Sequence, residues 1–445
     1  VIVETVPGRV RGTAGRGGST AFLGVPYATA ERFGAPRPAE PWPGVRDALE
    51  PGPAAPQGPS RLERIMGPVA AAQSEDCLTL NVWTPSAAGP PRPVLVFLHG
   101  GGYSSGSGGF PWYDGGVLAA RGGMVVVTAS YRLGALGFLR LPGVSEGNLG
   151  LRDQLAALEW VRDGIAAFGG DPGAVTVAGQ SAGAFSIMAL LSTGRARGLF
   201  HRAILQSNPG GMIPTAPADA ERTGALYREL LGADPRTAPV GALLAAQGEL
   251  ARRTVRPLDA VPPFQLVADG SLVADDPVTA AGRRGADGVD VLLGTNRDEA
   301  AAFFAGDDRI AALDRDALAA AATRWFGAPD RALAPRPVPE LAVELATDHL
   351  FREPADRLSA LLAEHGDPPW TYRFDWQPPG SPFGACHCVE LPFVFGDPEP
   401  WRDAPMLGGA PPPPSLVTEM QDAWTGFVHK GTPGWSRGTM RHFTG

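Results

Sequence analysis

The stretch Gly179-Gln180-Ser181-Ala182-Gly183 sets a serine between two glycines, the G-x-S-x-G pattern of a sharp turn that pushes its central side chain outward. A serine hydroxyl is a weak nucleophile at neutral pH. A catalytic Ser181 therefore requires a base, an acid to orient that base, and hydrogen-bond donors for a developing oxyanion. Donors are offered by His99-Gly100-Gly101-Gly102-Tyr103, where backbone N–H groups uncovered by side chains can aim at one point. The assignment is Gly101 and Gly102, joined by the N–H of Ala182, the residue after the nucleophile. No Gly-Lys-Ser/Thr follows these glycines, so they do not form a phosphate loop.

Seven histidines compete for the base. His99 opens the glycine loop, His349, His365 and His429 lie in polar helix-like stretches where solvated histidines are ordinary, and His442 is near the terminus. His387 sits in a loop beyond an expected strand from Trp370 to Trp376, downstream of Ser181 as the α/β-hydrolase order serine, acid, histidine requires. It is the expected base. The acid should lie between the two, at a strand end. Asp298 and Glu299 follow the apolar run Val291-Leu292-Leu293, and adjacent side chains point apart, so at most one can reach His387. The residues alone leave that choice open.

Position separates Ser181 from a second match to the same pattern, Gly102-Tyr103-Ser104-Ser105-Gly106. Val175, Val177 and Ala178 read as a buried strand before Ser181, and Ala184 to Leu191 as a helix apolar nearly all round after it. Ser104 has glycines before it and Ser107-Gly108-Gly109 after it, which would not continue as a helix. Elsewhere, short strands with glycine turns are expected from Val1 to Ala28, at one edge of a larger sheet. Buried strands are expected at Pro93 to Leu98, Met124 to Thr128, Arg202 to Gln206 and Val289 to Leu293, with an alternating strand at Leu78 to Trp83. Helices are expected at Leu151 to Phe168, Ala218 to Leu231 and Met420 to Val428. Strands alternating with helices predict an α/β fold with a large, mostly parallel central sheet.

The 445 residues are 44% hydrophobic, enough for a large core, and no repeat or long linker divides them, so 1–445 is expected to be one domain. Irregular cap or rim segments are expected around 32–73, 208–288 and 300–369. A net charge of -8 without a clustered basic patch argues against a nucleic-acid partner. No run of about 18 apolar residues suggests a membrane span. Three cysteines, Cys77, Cys386 and Cys388, make no disulfide framework and too thin a set for a metal site. The chain as given shows no signal peptide, so a cytoplasmic rather than secreted location is expected.

Taken together these residues resemble the type-B carboxylesterases, the cholinesterase-like branch of the α/β-hydrolases, in the flavour of bacterial p-nitrobenzyl esterase-like enzymes. The resemblance is carried by Phe22-Leu23-Gly24-Val25-Pro26-Tyr27-Ala28, Ser74 to Trp83, the His99 loop, Tyr131-Arg132-Leu133-Gly134, Ala167 to Pro172, the Ser181 turn and the His387 loop. It implies an α/β-hydrolase fold with Ser181 as nucleophile, Glu299 as acid and His387 as base, supported by Ser207 from behind. It also implies hydrolysis of small-molecule carboxylic esters through an acyl-enzyme, with no metal or organic cofactor; a monomer is assumed. Two alternatives belong to other classes: the same triad passing the acyl group to another acceptor or closing a ring, as an acyltransferase or cyclase, and a catalytically dead binding module, which would have lost a triad member. The chain departs from the family pattern at Gln180, where Glu is common, and in shortened segments after Ala28, after Ser207 and after Trp435. Cys386 and Cys388 flank the base and are read as small packing residues rather than reactive thiols.

Overall fold

A computed structural model describes residues 1–254, 258, 261–304 and 306–445. The undescribed positions fall inside the expected rim segments 208–288 and 300–369, which are therefore covered only in part. A ten-stranded sheet organises the chain. Its strands are β1 (Thr13–Ala14), β2 (Thr20–Pro26), β3 (Thr79–Thr84), β4 (Arg92–Leu98), β5 (Val125–Ala129), β6 (Gly170–Gln180), β7 (Arg202–Gln206), β8 (Asp290–Asn296), β9 (Trp370–Phe374) and β10 (Met440–Phe443). The spatial order is β10-β9-β8-β7-β6-β4-β5-β3-β2-β1. Pairing is parallel from β10 across to β5 and antiparallel from β5 to β1.

The apolar runs explain the parallel part. Every residue of β5 and Val94 to Leu98 of β4 are buried, because helices cover both faces. On one face lie α1 (Leu149–Gly164), whose Leu151, Leu158 and Val161 are buried, and α2 (Ala182–Thr193), buried from Ala182 to Ser192. On the other, α3 (Pro414–Lys430) packs Trp424 and Phe427 against Tyr372 and Trp370 of β9. Successive connections run to opposite sides of β4, to β5 and then to β6, leaving a crevice at the carboxyl ends of these strands. That crevice receives the His99 loop from β4, Ser181 from β6 and Glu299 from beyond β8.

The amino-terminal expectation needs correction. Only Thr13–Ala14 and Thr20–Pro26 join the large sheet; Ile2–Glu4 pairs with Arg9–Arg11, which pairs in turn with Val45–Asp47, in a separate three-stranded sheet. Val45 to Asp47 is a partner hidden in the Pro-rich stretch, which shows little alternation. At the other end, β10 has no sequence signal either. Met-Arg-His-Phe is exposed except for Phe443, and it becomes a strand by pairing with Thr371 to Phe374.

Candidate active site

Ser181 closes β6 and opens α2 with φ 56° and ψ −125°, a backbone conformation that side chains rarely adopt. Its N–H donates to Gln206 O at 2.9 Å, which moors the turn to β7. The flanking glycines are needed for space. A Cβ on Gly183 would lie 2.0 Å from Leu98 O, and one on Gly179 would lie 2.5 Å from Gly183 C. Strand, turn and helix thus touch too closely for any side chain there.

The glycine loop faces the turn. Gly101, Gly102 and Tyr103 have φ of 112°, 58° and 57°, and this unusual run points the chain back toward Ser181. Tyr103 Oη donates to Ala182 O at 3.0 Å, and Tyr131 Oη donates to His99 O at 2.6 Å, so the loop is tied to α2 and to the end of β5. No backbone acceptor among the described residues takes the N–H of Gly101, Gly102 or Ala182. All three residues line the cavity that contains Ser181. Ser104, from the second G-x-S-x-G match, is in a turn with its Oγ bonded to Gly101 O at 3.2 Å. In Gly101→Ala the new Cβ would meet Ser105 O at 1.9 Å, so the loop must move. A loss of about 10²–10³-fold in kcat, with a cooperative thermal melt retained, is the expected result in ester-hydrolysis assays.

His99 is buried and stacks on Tyr131 at 4.2 Å, and its Nδ1–H donates to Gly100 O at 2.8 Å. Burial pushes its pKa down from 6.5 to about 4, against the smaller opposing effect of that hydrogen bond. Between these values the unfolded chain binds more protons than the folded one. Stability from this site is therefore complete above pH 6.5 and is lost as pH falls toward 4, by about 3 kcal/mol in all. Thermal melts from pH 4 to 7 should show a shallower acid decline in His99→Gln than in the parent.

The two adjacent carboxylates diverge. Glu299 is fully buried, and its Oε2 accepts from His387 Nδ1 at 2.6 Å while its Oε1 accepts from Asn296 N–H at 2.7 Å. Asp298 turns outward to Arg297 and accepts from Ala385 N–H at 3.0 Å, pinning the start of the His387 loop. The His387 ring is buried between Phe303 and Phe351, at centroid distances of 5.3 and 5.1 Å. Since a carboxylate can only accept, the proton sits on Nδ1 and leaves Nε2 with a lone pair. That Nε2 lies 3.1 Å from Gln180 Nε2. Three of the other histidines are engaged elsewhere: His429 with Gly122 O, His442 with Asp375, and His349 stacked on Trp325.

Ser207 lies beside this group with φ 49°, but its buried Oγ has no hydrogen-bond partner among the described residues. Four residues that the sequence reading passed over are hydrogen-bonded there instead. Glu390 is fully buried, accepting from Gln206 Nε2 at 3.2 Å and Asn296 Nδ2 at 2.6 Å. Trp424 Nε1 donates to Gln206 Oε1 at 3.1 Å, and Asn296 Nδ2 also reaches Cys386 O at 2.8 Å. Burial, and next the charge of Glu299, push the Glu390 pKa up. The signal for it was a carboxylate directly before the apolar run Leu391 to Phe395, where a buried charge must find partners. Cys386 and Cys388 are free and buried, and burial raises both thiols, which fits packing rather than reactivity.

Two lobes that share Ser60, Leu62, Gly101 and Ser105 adjoin the serine turn, and Ser181 itself lines the smaller. One, of about 60 Å³, is bounded by Ser181, Ala182, Gly102 and the apolar Leu62, Met212, Phe303, Leu350 and Phe351. The other, of about 320 Å³, is bounded by Gly100, Gln180 and Cys388, by the polar Gln57, Gln73 and Ser105, and by Phe110, Trp112 and Tyr113. The expected rim segment 32–73 supplies much of the larger lobe. Among the described residues no His, Cys, Asp or Glu cluster is arranged to hold a metal ion, and no helix is long and apolar enough to cross a membrane.

The model of the carboxylesterase family matches residues 1–442. The chain belongs to the carboxylesterase family. It is 43% identical over 96% of its length, and 92% of the relative's, to the "Probable N-octanoylanthranilate hydrolase AqdA2" of Rhodococcus erythropolis. To the para-nitrobenzyl esterase of Bacillus subtilis it is 38% identical, over 97% of this chain and 90% of that one. A solved PNB esterase structure superposes with a TM-score of 0.87 at 37% identity, covering 98% of this chain and 92% of the other. The α/β-hydrolase fold is thus shared, and this carboxylesterase is an enzyme of serine-dependent ester hydrolysis acting on small-molecule carboxylic esters.

Proposed function

We propose that Ser181, His387 and Glu299 are the catalytic triad of this carboxylesterase and that Gly101, Gly102 and Ala182 supply its oxyanion hole. The observation that carries the reading is the 2.6 Å contact of His387 Nδ1 with buried Glu299, which leaves the Nε2 lone pair as the basic atom. His387 Nε2 takes the Ser181 proton as Oγ attacks the ester carbonyl, and the oxyanion is held by the three N–H groups. Collapse expels the alkoxide, which receives the same proton from His387. Water, activated by the same imidazole, then releases the acid. Glu299 keeps the ring in the required tautomer and offsets the charge of the imidazolium.

The lobes support a placement of the two halves of the ester. Gln180 borders the larger lobe and touches the imidazole edge that must protonate the leaving group, so the alcohol occupies that lobe. A compact apolar acyl chain fits the smaller one. The name of one relative, the para-nitrobenzyl esterase, supports an aromatic alcohol in the larger lobe. An aromatic leaving group would rest against Phe110, Trp112 and Tyr113.

Stopped-flow hydrolysis of p-nitrophenyl butyrate tests the mechanism. A burst of p-nitrophenol, one acyl group per chain found on the Ser181 peptide, and release of free butyrate without any acceptor are expected. Acylation that stalls until hydroxylamine or an alcohol is added would identify a transferase. Absence of acylation in the folded protein would overturn the triad assignment.

A further inference from the structure

We infer that Gln57 is a positioning residue for the oxyanion hole: from the rim segment it fixes the far end of the glycine loop, and through Ser105 it sets the direction of the Gly102 N–H. The inference rests on the triad and oxyanion-hole assignment above and adds to it a residue from outside both.

The glycine loop is tied near its start and middle by Tyr131, which donates to His99 O, and by Tyr103, which donates to Ala182 O. Its far end is held differently. Gly106 has φ 118°, and a Cβ there would meet His99 Nδ1 at 2.3 Å, so no side chain of its own can anchor the chain at that point. The Gln57 amide does so instead. Its Oε1 accepts from Gly106 N–H at 2.7 Å and its Nε2 donates to Gly106 O at 2.9 Å, a two-point clasp that also fixes which end of the amide is the oxygen. Gln57 is itself held, because Nε2 also donates to Ala55 O at 3.0 Å and its backbone N–H donates to Gln73 Oε1 at 3.0 Å. Behind it the rim segment is closed by Ala54 N–H on Ala72 O at 2.8 Å and by Ser74 N–H on Ala54 O at 3.0 Å.

The clasp reaches the reacting oxygen through two peptide planes. Gly106 N–H shares its plane with the carbonyl of Ser105, and Ser105 in turn holds Gly101 O, by its backbone N–H at 3.1 Å and its Oγ at 3.3 Å. Gly101 C=O and Gly102 N–H belong to one planar trans unit and point opposite ways, so holding the oxygen aims the N–H. Ser60 Oγ lies 3.2 Å from Ser105 Oγ and adds a second tie between the rim segment and the loop. Gln57, Gln73, Ser105 and Gly106 also line the larger lobe. One side chain is therefore both a wall of the alcohol site and a strut of the oxyanion hole.

The two half-reactions separate these roles. The alcohol has left before the butyryl-enzyme is hydrolysed, yet both steps pass through an oxyanion at the same donors. With p-nitrophenyl butyrate, Gln57→Leu should therefore slow the p-nitrophenol burst and the decay of the butyryl-enzyme alike, each by about 10–10²-fold, the scale expected when a catalytic group is misplaced by up to about an ångström. Its thermal melt should remain cooperative. Gln57→Glu keeps an acceptor for Gly106 N–H but sets a carboxylate, which can only accept, against Gly106 O and Ala55 O. It should slow both steps by about fivefold or more, and it carries the test if the leucine variant does not fold. A slower burst with parental decay of the butyryl-enzyme, in a folded variant, would make Gln57 a contact of the alcohol alone and overturn the inference. Parental rates for both steps would overturn it as well, and either result leaves the triad standing. A parent enzyme that forms no butyryl-enzyme would overturn both readings.

Discussion

Ser181→Ala should fold as the parent does and lose about 10⁶-fold in kcat toward p-nitrophenyl butyrate, the scale at which removal of an activated serine nucleophile is felt. The fold is spared because alanine meets the same backbone strain at φ 56° as serine, and because Ser181 makes its mooring bond to Gln206 O through the backbone. Residual turnover of about 10³-fold over water is expected, since the donors at Gly101, Gly102 and Ala182 remain. Thermal melts and active-site titration check the two halves of the statement. Parental turnover in the variant would move the nucleophile elsewhere, and the nearest rival is Ser104, whose hydroxyl is at present held by Gly101 O.

Glu299→Gln is the second large effect. The amide can present its N–H₂ to His387 Nδ1 and so move the ring proton to Nε2, the wrong tautomer for accepting from Ser181. A decrease of about 10⁴-fold in kcat follows from the parallel case of a serine triad whose acid is amidated. The neighbouring Asp298→Asn should stay within about fivefold, because Asp298 faces Arg297 and the Ala385 N–H rather than the imidazole; a half-buried ion pair of this kind at the surface contributes roughly 1 kcal/mol. Measuring both substitutions with one substrate separates them. Equal effects would mean that the loop before His387, rather than the charge on its ring, limits the rate.

The serine turn and the glycine loop were legible in the sequence because each demands small residues at fixed spacing beside a strand. The choice between Asp298 and Glu299 was not legible from the residues. It depends on how the loop from Ala385 crosses beyond β8, a contact between segments 87 residues apart, and only resemblance to a family favoured Glu299. Glu390, Asn296 and Gln206 were missed for a related reason: each is unremarkable in its own segment, and they meet only when β7, β8 and the His387 loop are assembled. Ser207, carried over from resemblance, has no partner for its hydroxyl among the described residues. The amino-terminal strands were read correctly as strands but given to one sheet. Alternation along a strand reports a buried face, not which neighbour buries it.

The left-handed backbone at Ser181 has a consequence for how such a protein can change over generations. Glycine would sit at φ 56° and ψ −125° without the roughly 1–3 kcal/mol that a side chain incurs in that region, so the most stabilising replacement at position 181 is also one that removes the nucleophile. Selection for turnover and selection for a durable fold therefore pull this position in opposite directions. A descendant kept for its shape alone, as a scaffold that other molecules grip, would gain stability by discarding the serine while the sheet and its loops persisted unchanged.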